Sequence, residues 1–275
     1  MKVLIYNNKE KDVNNACRDA LIKELASFNV KYKIIENSDL NTPEVADALF
    51  AIGGDGTILF LVEYSNKNNI PIIGINAGKL GFLCEFEKSE IRDSVEFLLN
   101  GKFIKDNRQM LKVVYKNNEY YALNDVYVQR TYDILIGNMV AGIKVKIDDI
   151  SVAKFKGDGV IVSSPTGSTA YSFSLGAPIL APKVPACVMT PIAAHTFNQR
   201  PVVYSSDSTC KIFVTGKAQV GVFVDGKHVA QMNENDCIEI SSVPTPLVFL
   251  RKNDYNFFMK LSEKMNTTFD GDNNG

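Results

Sequence analysis

The sequence has no surplus of either charge, no paired-cysteine motif and no long apolar run, and each absence removes a class of function. Lys and Arg number 30 against 31 Asp and Glu, and the two signs are interspersed. Neither nucleic acid nor a membrane surface is therefore expected as an electrostatic partner. No apolar stretch reaches membrane-spanning length, and the apolar N-terminus, Met1 to Tyr6, is too short for a signal peptide and reads as a strand. Cysteine occurs five times, at 17, 84, 187, 210 and 237, with no CxxC pair. An odd, scattered set predicts reduced, mostly buried thiols rather than disulfides or a zinc site, and a soluble, cytoplasmic protein. Histidine occurs twice, as His195 and His228, and forms no evident Ser-His-Asp set. Gly-x-Ser-x-Gly is missing, as is a Gly-Lys-Ser/Thr after any glycine turn, which excludes a nucleophile elbow and a P-loop. No internal repeat is visible.

What is present is an alternation of elements. At 275 residues the chain can form one large domain or two modest ones with a buried core. Residues 2–7 read as a strand, and Val13, Ala16, Ala20, Leu21, Leu25 and Phe28 share one helical face over 12–28. Strands follow at 30–35 and 46–52, then a helix over 58–68 and a strand at 71–76. A helix marked by Ile91, Val95, Leu98 and Leu99 stops at Asn100-Gly101. This order predicts an α/β domain over 1–101 with a mostly parallel sheet, whose ligands bind beyond the carboxyl ends of the strands. After Phe103 the pattern turns to strands: 110–116 and 119–129 around Asn117-Asn118, then 143–147, 211–215, 220–224, 236–241 and 246–251. They predict a β-rich, sandwich-like domain over 102–251. Residues 252–266 form a C-terminal helix expected to pack back on the first domain, and 267–275 a frayed tail.

Two stretches carry chemistry. The first is Gly53-Gly54-Asp55-Gly56-Thr57, between an apolar strand and an apolar helix. Glycines there let the backbone approach a ligand, and the free amides of a helix start favour a phosphate. Asp55 is the exception, suited to a metal ion or to a hydroxyl that must lose its proton. The same residues also make a plain strand-to-helix turn with Thr57 as N-cap. A second small-residue turn spans 77–81. The other chemical stretch is 157–172, an apolar strand followed by Pro165-Thr166-Gly167 and a run of small hydroxyl residues. Such hydroxyls and amides bond ribose, phosphate or carboxamide, and equally serve caps and turns.

In order along the chain, Gly-Gly-Asp-Gly-Thr (53–57), Asn-Asp (124–125), the run 157–172, Thr-Pro-Ile-Ala-Ala-His-Thr (190–196) and Val-Asp-Gly (224–226) closely resemble the NAD kinases. The first motif is shared with diacylglycerol and sphingosine kinases and with phosphofructokinases; the Pro-Thr-Gly-Ser-Thr-Ala-Tyr-Ser run is far more specific and argues against a lipid kinase. The resemblance implies an α/β domain, a β-sandwich-like domain and an active site between them. It implies phosphoryl transfer from ATP or a polyphosphate to the 2′-hydroxyl of the adenosine ribose of NAD, with a divalent cation, Mg²⁺, and a homo-oligomer, often a tetramer. By the same resemblance Asp55 accepts the proton and contacts NAD with Gly56. Gly53, Gly54 and Thr57 shape the phosphate turn. Asn124, Asp125, Lys156, Asp158 and the run Thr169, Ala170, Tyr171, Ser172, Phe173 and Ser174 fall at dinucleotide-contact positions, and Lys227 is a weaker match. Tyr171 could stack on the ligand or pack internally. A non-catalytic dinucleotide sensor is the remaining alternative, and retention of Asp55 with Asn124-Asp125 argues against it.

The chain also departs from the family pattern. Asp125 stands where the family has Glu, and Leu61-Val62-Glu63-Tyr64 where many members carry an arginine. Phe173-Ser174-Leu175-Gly176-Ala177-Pro178 lacks the usual Gly-Gly pair, and Ala194 replaces a common proline. No metal-ligand set is legible.

Overall fold

The computed structural model describes residues 1–78, 81–131, 140–196, 198–216 and 218–270. The chain divides into two compact units, 1–107 with 247–275, and 108–246. In the first, β1 (Lys2–Asn7), α1 (Ala16–Ser27), β2 (Lys31–Ile35), β3 (Ala48–Gly53), α2 (Asp55–Asn68) and β4 (Ile72–Asn76) alternate as a parallel sheet requires. A short β5 (Phe86–Glu87), α3 (Ile91–Leu99) and β6 (Phe103–Arg108) follow. β3 and β4 are buried at every residue, which is why both read as unbroken apolar runs. The strand order is β2-β1-β3-β4, so successive connections leave β1 and β3 in opposite directions and open a crevice at their carboxyl ends.

The second unit contains β7 (Leu111–Tyr115), β8 (Asn118–Ala122), β9 (Asp125–Arg130), β10 (Ala141–Ile147), β11 (Ile150–Gly157) and β12 (Gly159–Ser163). After these come a single-turn α4 (Tyr171–Ser174), β13 (Ala186–Ile192), β14 (Val202–Ser205) and β15 (Cys210–Thr215). β16 (Val220–Val224), β17 (Lys227–Met232) and β18 (Cys237–Ser242) complete it. They form two six-stranded sheets, ordered β11-β10-β15-β18-β7-β8 and β14-β13-β12-β9-β16-β17. The inward residues of both, among them Val113, Ile143, Val145, Val128, Val160 and Val222, make one core. That is a sandwich: β7 and β15 alternate between buried and half-buried residues, whereas β12 is buried at every residue.

The chain returns to the first unit through β19 (Leu247–Lys252) and α5 (Phe257–Asp270). β19 pairs in parallel with β4, Phe249 opposite Ile72, and β6 lies beyond it. The domain boundaries read at 102 and 251 therefore differ from the observed units, which divide after 107 and 246. Residues 246–251 look like any short sandwich strand, yet four of the six residues of β19 are buried, as between neighbours in an α/β sheet.

Other expectations also shift. Val13 is 66% exposed and Cys17 takes its place in the core. The Asp12 carboxylate accepts the amides of Cys17 (2.9 Å) and Arg18 (3.1 Å), so the α-helix starts at Ala16 and its buried face is rotated. The 119–129 run is two strands in different sheets, broken at Leu123-Asn124. Backbone at 267–270, expected to fray, continues α5; 271–275 lie outside the described residues. No helix is long and apolar enough to cross a membrane among the described residues. All five cysteines are unpaired, and burial pushes Cys84 and Cys210 up to about 12.

Candidate functional site

In the first unit the chemistry sits where β3 meets α2. Gly54 is the N-cap, Asp55 opens the helix and Thr57 is its third residue, so Thr57 does not take the N-cap place. Its hydroxyl instead receives the amide of Asn8 at 2.9 Å and the Gly54 N–H at 3.4 Å. Gly53 is demanded by this packing: its φ is +157° and a Cβ would lie 2.1 Å from Thr57 Oγ1. Gly54 and Gly56 are different. Among the described residues an added Cβ on either meets nothing within 4 Å, and Gly54 has φ −132°, open to any residue. The fold does not require glycine at these two positions. What the missing side chains leave clear is the outer face of the first helical turn. There the amides of Asp55 and Gly56 have no carbonyl partner within the helix, and the helix dipole is positive.

The Asp55 carboxylate is held from the other side. Oδ2 accepts the N–H of Phe82 at 2.7 Å and Oδ1 that of Leu83 at 3.0 Å. Each oxygen keeps a second lone pair for a ligand. Gly81 lies so close that its Cβ would fall 1.9 Å from Asp55 Oδ1. Gly81, lacking a side chain, thus leaves room for residues 82 and 83 to hold the carboxylate; Lys79 and Leu80 of the 77–81 stretch lie outside the described residues. Gly81→Ala is expected to displace Asp55 and lower turnover at least ~10-fold, since misplacement by about 1 Å costs that and more. Steady-state rates beside an unchanged far-ultraviolet CD spectrum check this.

Beyond the 82–85 segment stands Arg251, which the sequence reading missed. It is fully buried and donates to Leu83 O at 2.6 Å, to Glu85 Oε2 at 3.1 Å and to Asp106 Oδ2 at 3.2 Å. Its guanidinium lies over Phe249 (4.7 Å) and Tyr255 (4.8 Å). Lys260 of α5 bonds the Cys84 carbonyl, and burial, then Arg251, lowers its pKa. The segment is held by Asp55 through its amides and by cations through its carbonyls. The only hint in sequence is a lone arginine in the apolar run 247–251. Leu61, Val62 and Tyr64 are buried, and Glu63 pairs with Lys67.

An open cleft of about 530 Å³ adjoins this turn, lined by Tyr6, Asn8, Asn37, Gly56, Thr57 and Phe60 among others. It lies at the carboxyl ends of β1 and β2, beside the crevice that the strand order predicts. Among the described residues no group of three His, Cys, Asp or Glu converges as a metal site.

In the second unit, Asn124 immediately precedes β9 and Asp125, buried, opens it. Burial, then the neighbouring Asp225, pushes the Asp125 carboxyl up to about 7. The hydroxyl run divides by role. Ser164 bonds Leu123 O (2.5 Å), Ser168 bonds Pro165 O (2.7 Å), and the buried Ser172 meets Thr190 Oγ1 (3.3 Å). Thr169 and Ser174 bond back to the carbonyls of Thr166 and Tyr171. Ala170 links the two short helical turns, and Phe173 is 50% exposed. Tyr171 meets Tyr127 edge-on (5.2 Å), Tyr127 stacks on Phe223 (4.7 Å), and Phe223 meets His228 (5.1 Å). Asp158 pairs with Arg130 at 2.7 Å, a partner that sequence alone did not indicate. Lys156 is exposed on β11, in the other sheet, and Lys227 is exposed at the start of β17. His195 is exposed, and its N–H donates to the Lys156 carbonyl at 2.8 Å.

Residues 5–103 match the model of the ATP-NAD kinase N-terminal domain, and 123–252 that of the ATP-NAD kinase C-terminal domain. The chain belongs to the NAD kinase family. An NAD kinase of Fusobacterium nucleatum is 35% identical over 95% of this chain and 96% of its own. One from Treponema denticola is 36% identical over 96% and 95%. The fold matches yeast NADH kinase complexed with NADH at a TM-score of 0.85 and 22% identity, over all of this chain and 88% of that one. It also matches an Archaeoglobus fulgidus NAD kinase in complex with ATP at 0.80 and 22%, over 96% and 98%. The NAD kinase fold is thus an α/β unit with a mostly parallel sheet and a unit of antiparallel sheets, as the order of elements implied.

Proposed function

We propose that this protein phosphorylates NAD to NADP, taking the phosphoryl group from ATP or another phosphate donor. It is a phosphotransferase acting on an alcohol, the 2′-hydroxyl of the adenosine ribose. The observation that carries the reading is the pair Gly54 and Gly56, glycines that nothing in the protein itself requires, beside a carboxylate fixed in place. Open helix-start amides take the donor phosphates, and Asp55 receives the proton of the attacking hydroxyl. In a loose transition state that proton leaves late, so Asp55 chiefly orients the hydroxyl until transfer is under way. Asn124, Asp125, Lys156, Asp158 and the run Thr169 to Ser174 contact the dinucleotide, with Lys227 a weaker member.

A divalent cation fits this donor set as a companion of the donor phosphates, since Mg²⁺ takes one or two carboxylates with phosphates rather than a protein cage. Asp55 would be the carboxylate to hold it, and the cation's charge would offset that developing on the phosphate oxygens. Assembly into a homo-oligomer is proposed on the family resemblance, and a cytoplasmic location on the scattered, unpaired cysteines.

The test is the pure protein with Mg²⁺, a panel of ATP and polyphosphate donors, and NAD, NADH or nicotinic acid adenine dinucleotide as acceptor. NADP, resolved by chromatography, is the expected product. Absence of product with every donor would sink the reading, and label entering lipid instead would point to a lipid kinase.

A further inference from the structure

Asp225 and Gly226 join β16 to β17 with both residues at positive φ, 45° and 81°. Such a two-residue hairpin asks only that its first residue tolerate left-handed backbone, as Asp and Asn do. Here the side chain does more. Its Oδ2 accepts the N–H of Leu123 at 2.8 Å, and its Oδ1 accepts those of Asn124 at 2.8 Å and Asp125 at 3.1 Å. The Asp225 N–H donates in return to the Asp125 carbonyl at 3.0 Å. One turn residue thus gathers the three residues where the chain passes from one sheet to the other. Hydrogen bonds to an ionised acceptor are about twice as strong as neutral ones.

The carbonyl side of the same segment is also occupied. Ser164 donates through its hydroxyl to Leu123 O and through its N–H to Asn124 O, at 2.5 and 2.9 Å. Gly167 lies so close that a Cβ would stand 2.0 Å from Asn124 O. The backbone carrying Asn124 and Asp125 is therefore held on both its amide and its carbonyl side. Asp125, 4% exposed, is in register with Ser163, whose buried hydroxyl finds no hydrogen-bond partner among the described residues.

We propose that Asp225 is a positioning residue for the dinucleotide, its carboxylate setting the direction of Asn124 and Asp125 by holding their backbone amides and that of Leu123. This rests on the reading of Asn124 and Asp125 as NAD contacts. Asp225 also acts on Asp125 through charge. The titratable groups around Asp125 are Asp225 from the hairpin, Tyr127 on its own strand and Tyr171 from α4. Asp225 is itself raised to about 6 by burial, against the three amide bonds that lower it. As a carboxylate Asp125 offers both oxygens as acceptors and a stronger, charge-assisted bond to ligand hydroxyls than the protonated acid does, so binding strengthens as pH rises through its pKa. Removing the like charge beside it lowers that pKa and moves the acid limb of binding to lower pH.

Asp225→Asn tests this, because Asn-Gly suits the same hairpin and keeps one acceptor oxygen while removing the charge. The expected result is a KM for NAD raised about tenfold or more, as loss of a charged hydrogen bond implies. The loss should fall on KM far more than on kcat, with the acid limb of kcat/KM shifted to lower pH. Amide exchange at 123–125 should accelerate. A lower Tm with KM and the pH limb unmoved means a merely structural role and overturns the proposal. If the wild type neither binds nor turns over NAD, the site reading fails; unaltered exchange at 123–125 in the variant then overturns the clamp independently.

Discussion

Asp55→Asn is expected to lower kcat for NAD by roughly 10²–10⁴-fold, the usual contribution of a positioned proton acceptor. The amide has the shape of the carboxylate and cannot take the proton. It also offers one acceptor oxygen where the carboxylate offers two. Phe82 and Leu83 now each donate to a separate oxygen of Asp55, so one of those amides loses its partner in the variant. That costs about 1–3 kcal/mol of stability and lowers Tm by several degrees. The two effects separate cleanly: turnover collapses while CD and NAD binding by calorimetry report a folded, binding-competent protein. A variant turning over within tenfold of the wild type would remove Asp55 from the proposed chemistry.

Arg251→Met is expected to destabilise the first unit by about 3–5 kcal/mol, lowering Tm by ~10 °C or more. Arg251 is wholly buried between Glu85 and Asp106, whose side chains are each 6% exposed. Removing the cation takes the Arg251 ion pair from two buried carboxylates, and such groups are then driven to take up protons or pull the structure open. Arg251→Lys keeps the charge but loses the fork that reaches Leu83 O, Glu85 and Asp106 together. It should fold with a smaller loss of Tm and turn over more slowly, because the 82–85 segment that grips Asp55 is held less firmly. Differential scanning fluorimetry and steady-state rates on both variants check the pair. Equal Tm for Arg251→Met and wild type would show that the buried cation contributes nothing net.

Much of the first unit was readable because its strands are buried on both faces and therefore continuous in hydropathy. Ala48 to Ile52 and Ile72 to Ile75 are examples. Where the reading slipped, a side chain acted on backbone some distance away. Asp12 reset the start of α1 by capping it, and Asp225 broke the 119–129 run a hundred residues upstream of itself. β19 was legible as a strand but its place beside β4 was not, because a short apolar run states that it will be buried, not against what.

By itself the sequence determined the alternation of α/β and then β elements, the glycine turn with its carboxylate, and the hydroxyl-rich run. These are matters of periodicity and local backbone freedom, which act over a few residues. Only the tertiary structure decided which glycines the fold requires and which it leaves clear: Gly53, Gly81 and Gly167 are forced by neighbours, while Gly54 and Gly56 face open space. It likewise decided that Asp55 is held by residues 82 and 83, that Arg251 stands behind that segment, and that Asp225 gathers residues 123–125. Each is a contact between groups far apart in the chain, and hydrogen-bond reach of about 3 Å is a property of folded space that no local spacing encodes.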